Sequence, residues 1–131
     1  MNRLTARISH IQTYEGISRI LLNYHRQTLT AITLELPSFA KEGSDVYICF
    51  KETEVGVAKG TCDNISFSNI FECHIEALNK GVILSTIRAT HHSHALGSII
   101  TTAAIERLNL QVNDPINFFV KATEISLEEI V

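Results

Sequence analysis

The stretch that decides the fold is Lys-Glu-Thr-Glu-Val at residues 51–55, because it recurs as Lys-Ala-Thr-Glu-Ile at residues 121–125. Three of the five residues are identical, and the last pair exchanges Val for Ile. Each copy follows an apolar stretch, residues 46–50 in one case and residues 116–120 in the other. Self-similarity of this kind indicates a chain built from repeated units. The recurrence therefore predicts an internal duplication.

Further matches lie upstream of both copies of this motif. They pair Asn2-Arg3-Leu4 with Asn69-Ile70-Phe71, Ile8 with Ile75, residues 15–17 with 80–82, and residues 29–33 with 96–101. The offset between the copies drifts between 65 and 70 residues, and the differences fall where loops are expected. We therefore predict two modules, residues 1–60 and residues 65–131, joined by a linker at 61–64.

Each module reads mainly as β-strand. Short period-two stretches rich in β-branched residues predict strands over 7–11, 17–24, 28–34 and 46–50, and over 71–77, 82–89, 98–100 and 116–120. Residues 102–110 place Ile105, Leu108 and Val112 near helical spacing and predict a short helix, whereas the matching stretch 37–41 is about a turn shorter. The predicted fold is all-β, with two tandem OB-type five-stranded Greek-key barrels, each with one short helix.

Composition limits the classes of function that the chain can have. The formal net charge is −3 and there is no Trp, which disfavours an OB-type nucleic-acid-binding protein. No apolar run approaches the roughly 20 residues that span a bilayer, and no secretory signal is evident, so we expect a cytoplasmic protein without a membrane partner. The three cysteines match no zinc or redox spacing and are predicted to be free thiols.

The repeated lysines are candidate ligands for a small anion. Lys51 and Lys121 end an apolar strand, while Thr33 and Thr101 end the preceding strand, where the chain turns towards helix. Hydroxyls, the free N–H groups of a helix start and an ammonium together suit an oxyanion. The alternative is that each lysine is an exposed charge at a strand end, and recurrence in both copies weighs against it.

Other polar clusters have simpler interpretations. Ser66, Ser68 and Asn69 open the second copy and offer anion donors, but such residues are also common in linkers. His91, His92 and His94 are predicted to lie in a solvated hairpin loop. Glu54 and Glu124 occupy equivalent positions in the two copies, so they need not meet as a catalytic pair. The sequence contains no nucleophile–base arrangement, phosphate loop or dinucleotide motif, and we expect no enzymatic activity.

Three features together resemble the Mop or TOBE modules of molybdate-binding proteins. They are the strand ending in Lys-Ala-Thr-Glu-Ile at 121–125, the Asn-x-Leu opening at 2–4 and the Ser-x-x-Asn opening at 66–69. The resemblance covers nearly the whole chain, from Asn2 to about Leu127. It implies a tandem protein that binds molybdate and tungstate for storage or homeostasis and forms a homo-oligomer, usually a trimer. It places the oxyanion at module and subunit interfaces and implies as ligands the side chains of Lys51, Thr53, Thr33, Lys121, Thr123, Thr101 and Ser66. The backbone N–H groups of Glu52 and Ala122 are implied as further ligands, and Ser68 and Asn69 of the same opening are also candidates.

The sequence also departs from the family pattern. Ser68 stands where the family opening often has Arg, Ala104 stands where a second family Ser is found, and the first copy begins at Met1 without a Ser opening. We therefore expect the sites of the two modules to differ. The same module also occurs as the effector domain of molybdate-responsive regulators and transporter ATPases. The absence of helix-turn-helix and ATPase motifs, and Met1 just before the opening, favour a free-standing protein.

Overall fold

Ten strands form two five-stranded antiparallel sheets in the computed structural model, which describes every residue from Met1 to Val131. The strands of the first half are β1 Asn2–Tyr14, β2 Ile17–Tyr24, β3 Gln27–Thr33, β4 Asp45–Phe50 and β5 Gly56–Ala58. Those of the second half are β6 Asn69–Lys80, β7 Leu84–His91, β8 His94–Thr101, β9 Pro115–Val120 and β10 Ser126–Glu129. Helix α1 is Thr102–Leu108, and 3-10 helices cover Glu52–Glu54 and Ala122–Glu124.

The two halves exchange their last strands. The sheet orders are β10-β4-β1-β2-β3 and β5-β9-β6-β7-β8. Thus β10 of the second half pairs with β4, placing Leu127 opposite Ile48, while β5 of the first half pairs with β9, placing Val57 opposite Phe118. Each sheet therefore contains strands from both halves. The division into modules at 1–60 and 65–131 describes the repeat in the sequence and stays a prediction.

The internal duplication is visible in the strand register. Strands β1 and β6 carry the same irregularity, between Ile8 and His10 in one and between Ile75 and Ala77 in the other. The offset is constant at 67 residues from β1–β3 to β6–β8 and becomes 70 at β4 and β9. The connection that contains α1 is three residues longer than its counterpart, and this accounts for the change.

A continuous hydrophobic core joins the two halves. One cluster of 25 buried residues contains inward-facing positions of both sheets, as the alternating burial along β1 and β6 requires. At its centre the rings of Phe50 and Phe71 stack with centroids 5.6 Å apart, and Phe118 is completely buried. Two thin cores are thereby merged into one, which suits halves of this size.

The helix prediction holds only for the second half. Helix α1 begins after Thr101, whose hydroxyl accepts a hydrogen bond from the Ala104 N–H at 3.2 Å, and ends at Asn109 in the left-handed region. Val112 lies beyond it and is exposed. Residues 37–41 form only a turn, closed by the Ala40 N–H on the Pro37 carbonyl, so the prediction of one short helix in each half is wrong for the first. The shorter connection leaves no room for a helix.

The architecture is mostly β, with two sheets and one α-helix, and is consistent with OB-type folds. The fifth strand of each half is very short, three residues in β5 and four in β10. The structure has no helix with the length and apolar composition needed to span a bilayer.

Candidate functional site

Each lysine motif directly follows a strand. The lysine is a single extended residue, and a 3-10 helix begins at the next position. Lys51 and Lys121 are both extended, with φ/ψ of −75°/145° and −67°/145°, and each precedes a three-residue 3-10 helix. No side chain caps either helix start. The first N–H groups of a helix have no partner inside it. The Ala122 N–H is therefore a candidate donor beside Lys121, whereas the Glu52 N–H beside Lys51 is hydrogen-bonded to the carboxylate of its own side chain.

The strand exchange brings the lysine of each half to the threonine of the other. Lys51 lines a cleft of about 180 Å³ together with Thr123 and Ser126 of the second half; we name this the Lys51 cleft. Lys121 lines a cleft of about 360 Å³ together with Thr53 of the first half; we name this the Lys121 cleft. Both clefts thus combine a cation and a hydroxyl from opposite halves of the chain.

Carboxylates also face both clefts. Glu54 and Glu124 each line the Lys51 cleft and the Lys121 cleft, so the two equivalent positions are brought to the same part of the molecule. They partly offset the positive charge of the lysines. An anion there must be held by directed hydrogen bonds as well as by the field of the lysine.

The openings of the two copies surround these clefts differently. Met1 lines the Lys51 cleft, and its amino group is hydrogen-bonded to the Glu52 carboxylate. Phe67 lines the Lys121 cleft and packs edge-on against Phe119, with centroids 4.8 Å apart. Phe67 was not among the predicted site residues. Its position within the Ser-x-x-Asn opening is the sequence feature that could have indicated a place near the site. Ser66 and Ser68 are exposed beside it and are not among the residues that line the cleft.

The opening asparagines join the two halves of the chain. Asn69 is fully buried; its amide donates to the Thr30 and Val120 carbonyls at 2.9 and 3.2 Å and accepts from the Thr30 N–H at 2.8 Å. Asn2 makes the equivalent exchange with Gly97, at 2.7 and 2.9 Å. The side chain of Asn69 is therefore occupied by backbone groups of β3 and β9, away from the residues that line the Lys121 cleft.

The two predicted threonines before the helix region are not equivalent in the structure. Thr33 pairs with Ser18, whereas the residue that pairs with the matching Ser85 is Ile100. The Thr33 hydroxyl donates to the Glu35 carbonyl at 3.1 Å, and Thr33 shares a third cleft, of about 530 Å³, with Thr123. The Thr101 hydroxyl caps α1 and lines none of these clefts.

The histidine cluster departs from its prediction. His92 and His94 are exposed at the β7–β8 hairpin, as a solvated loop requires, but His91 is only 2% exposed and lies in strand β7. The reason is that the hairpin tip packs against the tip of the β2–β3 hairpin. No group of three or more His, Cys, Asp or Glu side chains is arranged to hold a metal ion.

The cysteines are free thiols in the structure. Burial raises the pKa of Cys49, with a further contribution from its hydrogen bond to the Glu128 carboxylate, and burial likewise raises the pKa of Cys73; both reach about 12. A thiol with so high a pKa is protonated at neutral pH and is a poor nucleophile.

Comparison with known proteins finds a family profile that matches the second half of the chain and a solved structure with a similar fold. Residues 65–127 match the family profile of the TOBE domain. The crystal structure of ModG with molybdate bound, described as a cytoplasmic molybdate-binding protein, superposes with a TM-score of 0.90. The match covers 98% of this chain and 96% of ModG at 17% sequence identity. No curated protein matches the sequence. The resemblance seen in the sequence is thus confirmed, by family for residues 65–127 and by fold for the whole chain.

Proposed function

We propose that the chain binds molybdate at the Lys51 and Lys121 clefts, without chemistry on the anion, as a cytoplasmic storage or homeostasis protein. The observation that carries this proposal is the reciprocal arrangement of the two clefts, each with a lysine from one half and a threonine from the other. The shared fold with ModG, a molybdate-binding protein, supports the choice of anion. Tungstate, a tetrahedral dianion of similar size, is proposed to bind in the same way.

The donors around each cleft suit a tetrahedral dianion. A dianion removed from water needs nearly all of its oxygens hydrogen-bonded, so several donors must converge on it. In the Lys121 cleft we assign the Lys121 ammonium, the Ala122 N–H and the Thr53 hydroxyl to this role. Charge-assisted hydrogen bonds from an ammonium are short and strong. In the Lys51 cleft we assign the Lys51 ammonium and the Thr123 hydroxyl, together with the Glu52 N–H, which an anion would take over from the Glu52 carboxylate.

The remaining predicted ligands take different places in the proposal. Thr33 is assigned to the Lys51 side of the molecule, because it shares a cleft with Thr123. Ser66 and Ser68 are exposed beside the Lys121 cleft, and we assign them to an anion held between this surface and a second copy of the chain. Thr101 and Asn69 are assigned supporting roles, because the hydroxyl of the first caps α1 and the amide of the second joins the halves.

We further propose that the chain assembles into a homo-oligomer, a trimer, of units that are each a pair of OB-type barrels. Large apolar side chains are exposed at the β1–β2 and β6–β7 hairpin ends and just after β3. Val82 is 98% exposed, Ile83 76%, Leu34 75% and Tyr14 73%. An accumulation of exposed apolar surface of this kind is typical of protein interfaces.

Calorimetric titration of the intact protein with molybdate, tungstate and sulfate at one ionic strength tests the function. We expect saturable heat from molybdate and tungstate. Sulfate is smaller and should leave donors of a rigid site unsatisfied, so we expect at least about a hundredfold weaker binding, equivalent to about 2.7 kcal/mol. Absence of saturable heat from both larger anions would overturn the proposal.

A further inference from the structure

The tips of two equivalent hairpins meet at one end of the contact between the halves. Strands β2 and β3 turn at His25, and strands β7 and β8 turn at His92, the position 67 residues later. The rings of His25 and His92 stack with centroids 4.3 Å apart, and those of Tyr24 and His91 stack at 5.7 Å. Each stacked pair joins a residue to its own counterpart in the other half. We call these four residues the tip stack.

His91 is the buried member of the tip stack. It is only 2% exposed, and its Nδ1 lies 2.7 Å from the Glu72 carbonyl oxygen, which can only accept a hydrogen bond. Nδ1 therefore carries a proton, and Nε2 of the neutral ring has only its lone pair. Nε2 is buried and has no hydrogen-bond partner. A proton added there would create a buried cation without an acceptor.

No carboxylate lies within ion-pair distance of a ring nitrogen in the tip stack. The only ion pair that involves a histidine is the one between His10 of β1 and Glu42, neither of which belongs to the tip stack. The ring of His92 lies 4.4 Å from that of His91, so protonation would bring like charges together. The titratable and charged groups that face His91 from the elements around it are Tyr24, His25, Arg26, Cys62, Asp63, Glu72, Cys73, His92 and His94.

We propose that the tip stack is a pH-sensitive joint, in which protonation of the buried His91 on acidification separates the two hairpin tips. The closed joint holds a neutral His91 ring, and a charge on that ring would be buried without an acceptor for the Nε2 proton. The neighbouring charges oppose one another: Arg26 adds positive charge to the cavity that His91 lines, whereas the carboxylates of Asp63 and Glu72 add negative charge, although neither is within ion-pair distance of a ring nitrogen.

The link between proton binding and stability determines whether acid opens or closes the joint. Burial lowers the pKa of His91 below its ordinary value of 6.5; the hydrogen bond to the Glu72 carbonyl opposes this shift, and the nearby histidines add to it. The unfolded or opened chain therefore binds more protons than the closed one below about pH 6.5, and the closed state loses stability as the pH falls from there towards the lowered pKa. Well above pH 6.5 His91 is neutral in both states and this contribution disappears.

Amide hydrogen exchange of the intact protein at pH 7.5 and pH 5.5 tests the joint, with rates expressed as protection factors to remove the intrinsic pH dependence. In wild type, amides of residues 23–28 and 90–95 should lose protection at pH 5.5 by up to about tenfold, the limit that a single group allows one pH unit below its ordinary pKa. Amides in the centres of β1 and β6 should keep theirs. Equal protection of the tips at both pH values would overturn the proposal.

Variants locate the effect in the tip stack. His25→Asn with His92→Asn removes two imidazoles at positions with φ of 50° and 45°, which Asn tolerates. His91→Tyr introduces the residue of the equivalent position, Tyr24. Each variant should lose less protection on acidification than wild type, and their combination should lose less than about twofold. The exposed His74→Asn serves as the matched control and should behave as wild type. If either the His25→Asn/His92→Asn variant or the His91→Tyr variant folds and still loses as much protection at pH 5.5 as wild type, the proposed joint is contradicted.

Discussion

At the residue scale, two buried asparagine amides hold the halves of the chain together. Asn69 satisfies both backbone groups of Thr30 and also the Val120 carbonyl, and Asn2 does the same for Gly97. The sequence marked both residues as the opening of a repeated unit. It could not show their partners, because Thr30 and Asn69 are 39 positions apart and only the packing of the halves brings them together.

Replacing Asn69 by Ala should lower the free energy of unfolding by about 2–4 kcal/mol, because the Thr30 N–H and two carbonyls would lose buried partners. Urea unfolding, followed by circular dichroism, measures the change. Asn79→Ala on the exposed part of the same strand is the control and should change stability by less than about 0.5 kcal/mol. A loss at Asn69 no larger than that at Asn79 would show that the amide does not hold the halves.

At the scale of elements, the longer strands follow from the sequence and the strand exchange does not. Alternation of apolar and polar residues predicted eight strands, although β7 begins only at Leu84, two residues later than expected, and β8 covers eight residues where three were predicted. Strands β5 and β10 are too short to show a period. Which sheet they enter depends on the packing of the halves. The sequence alone therefore could not predict that the lysine of one half shares a cleft with the threonine of the other.

Gly56 tests the packing of the exchanged strand β5. A Cβ at this position would overlap the ring of Phe119 on the neighbouring strand β9. We expect Gly56→Ala to destabilise the protein by about 1–3 kcal/mol, the usual effect of overpacking. Phe119→Leu in the same background should recover part of the loss, because the smaller side chain frees the space. If Gly56→Ala is as stable as wild type, or Phe119→Leu brings no recovery, β5 does not pack on β9 in this way.

At the scale of the whole molecule, the exposed apolar hairpin ends predict self-association. Light scattering should give the mass of a trimer, and Val82→Ser with Ile83→Ser should shift the population towards smaller species because it removes apolar surface from the interface. Lys80→Ser on the same hairpin is the control and should leave the mass unchanged. A stable monomer in wild type would exclude both the trimer and any anion site between subunits.

The central claim is that each anion cleft is built from opposite halves of one chain, with Lys121 beside Thr53 and Lys51 beside Thr123. The most direct measurement is the stoichiometry of molybdate binding by calorimetric titration. The single variants are Lys121→Ala, Thr53→Val and Lys51→Ala, and the double variants combine Lys121→Ala with either Thr53→Val or Lys51→Ala. Lys121→Ala and Thr53→Val should weaken the same sites, and their combination should do little more than either alone. Combining Lys121→Ala with Lys51→Ala should abolish binding at both clefts. The account is contradicted if Lys121→Ala and Thr53→Val act on different sites, or if the lysine double variant binds like wild type.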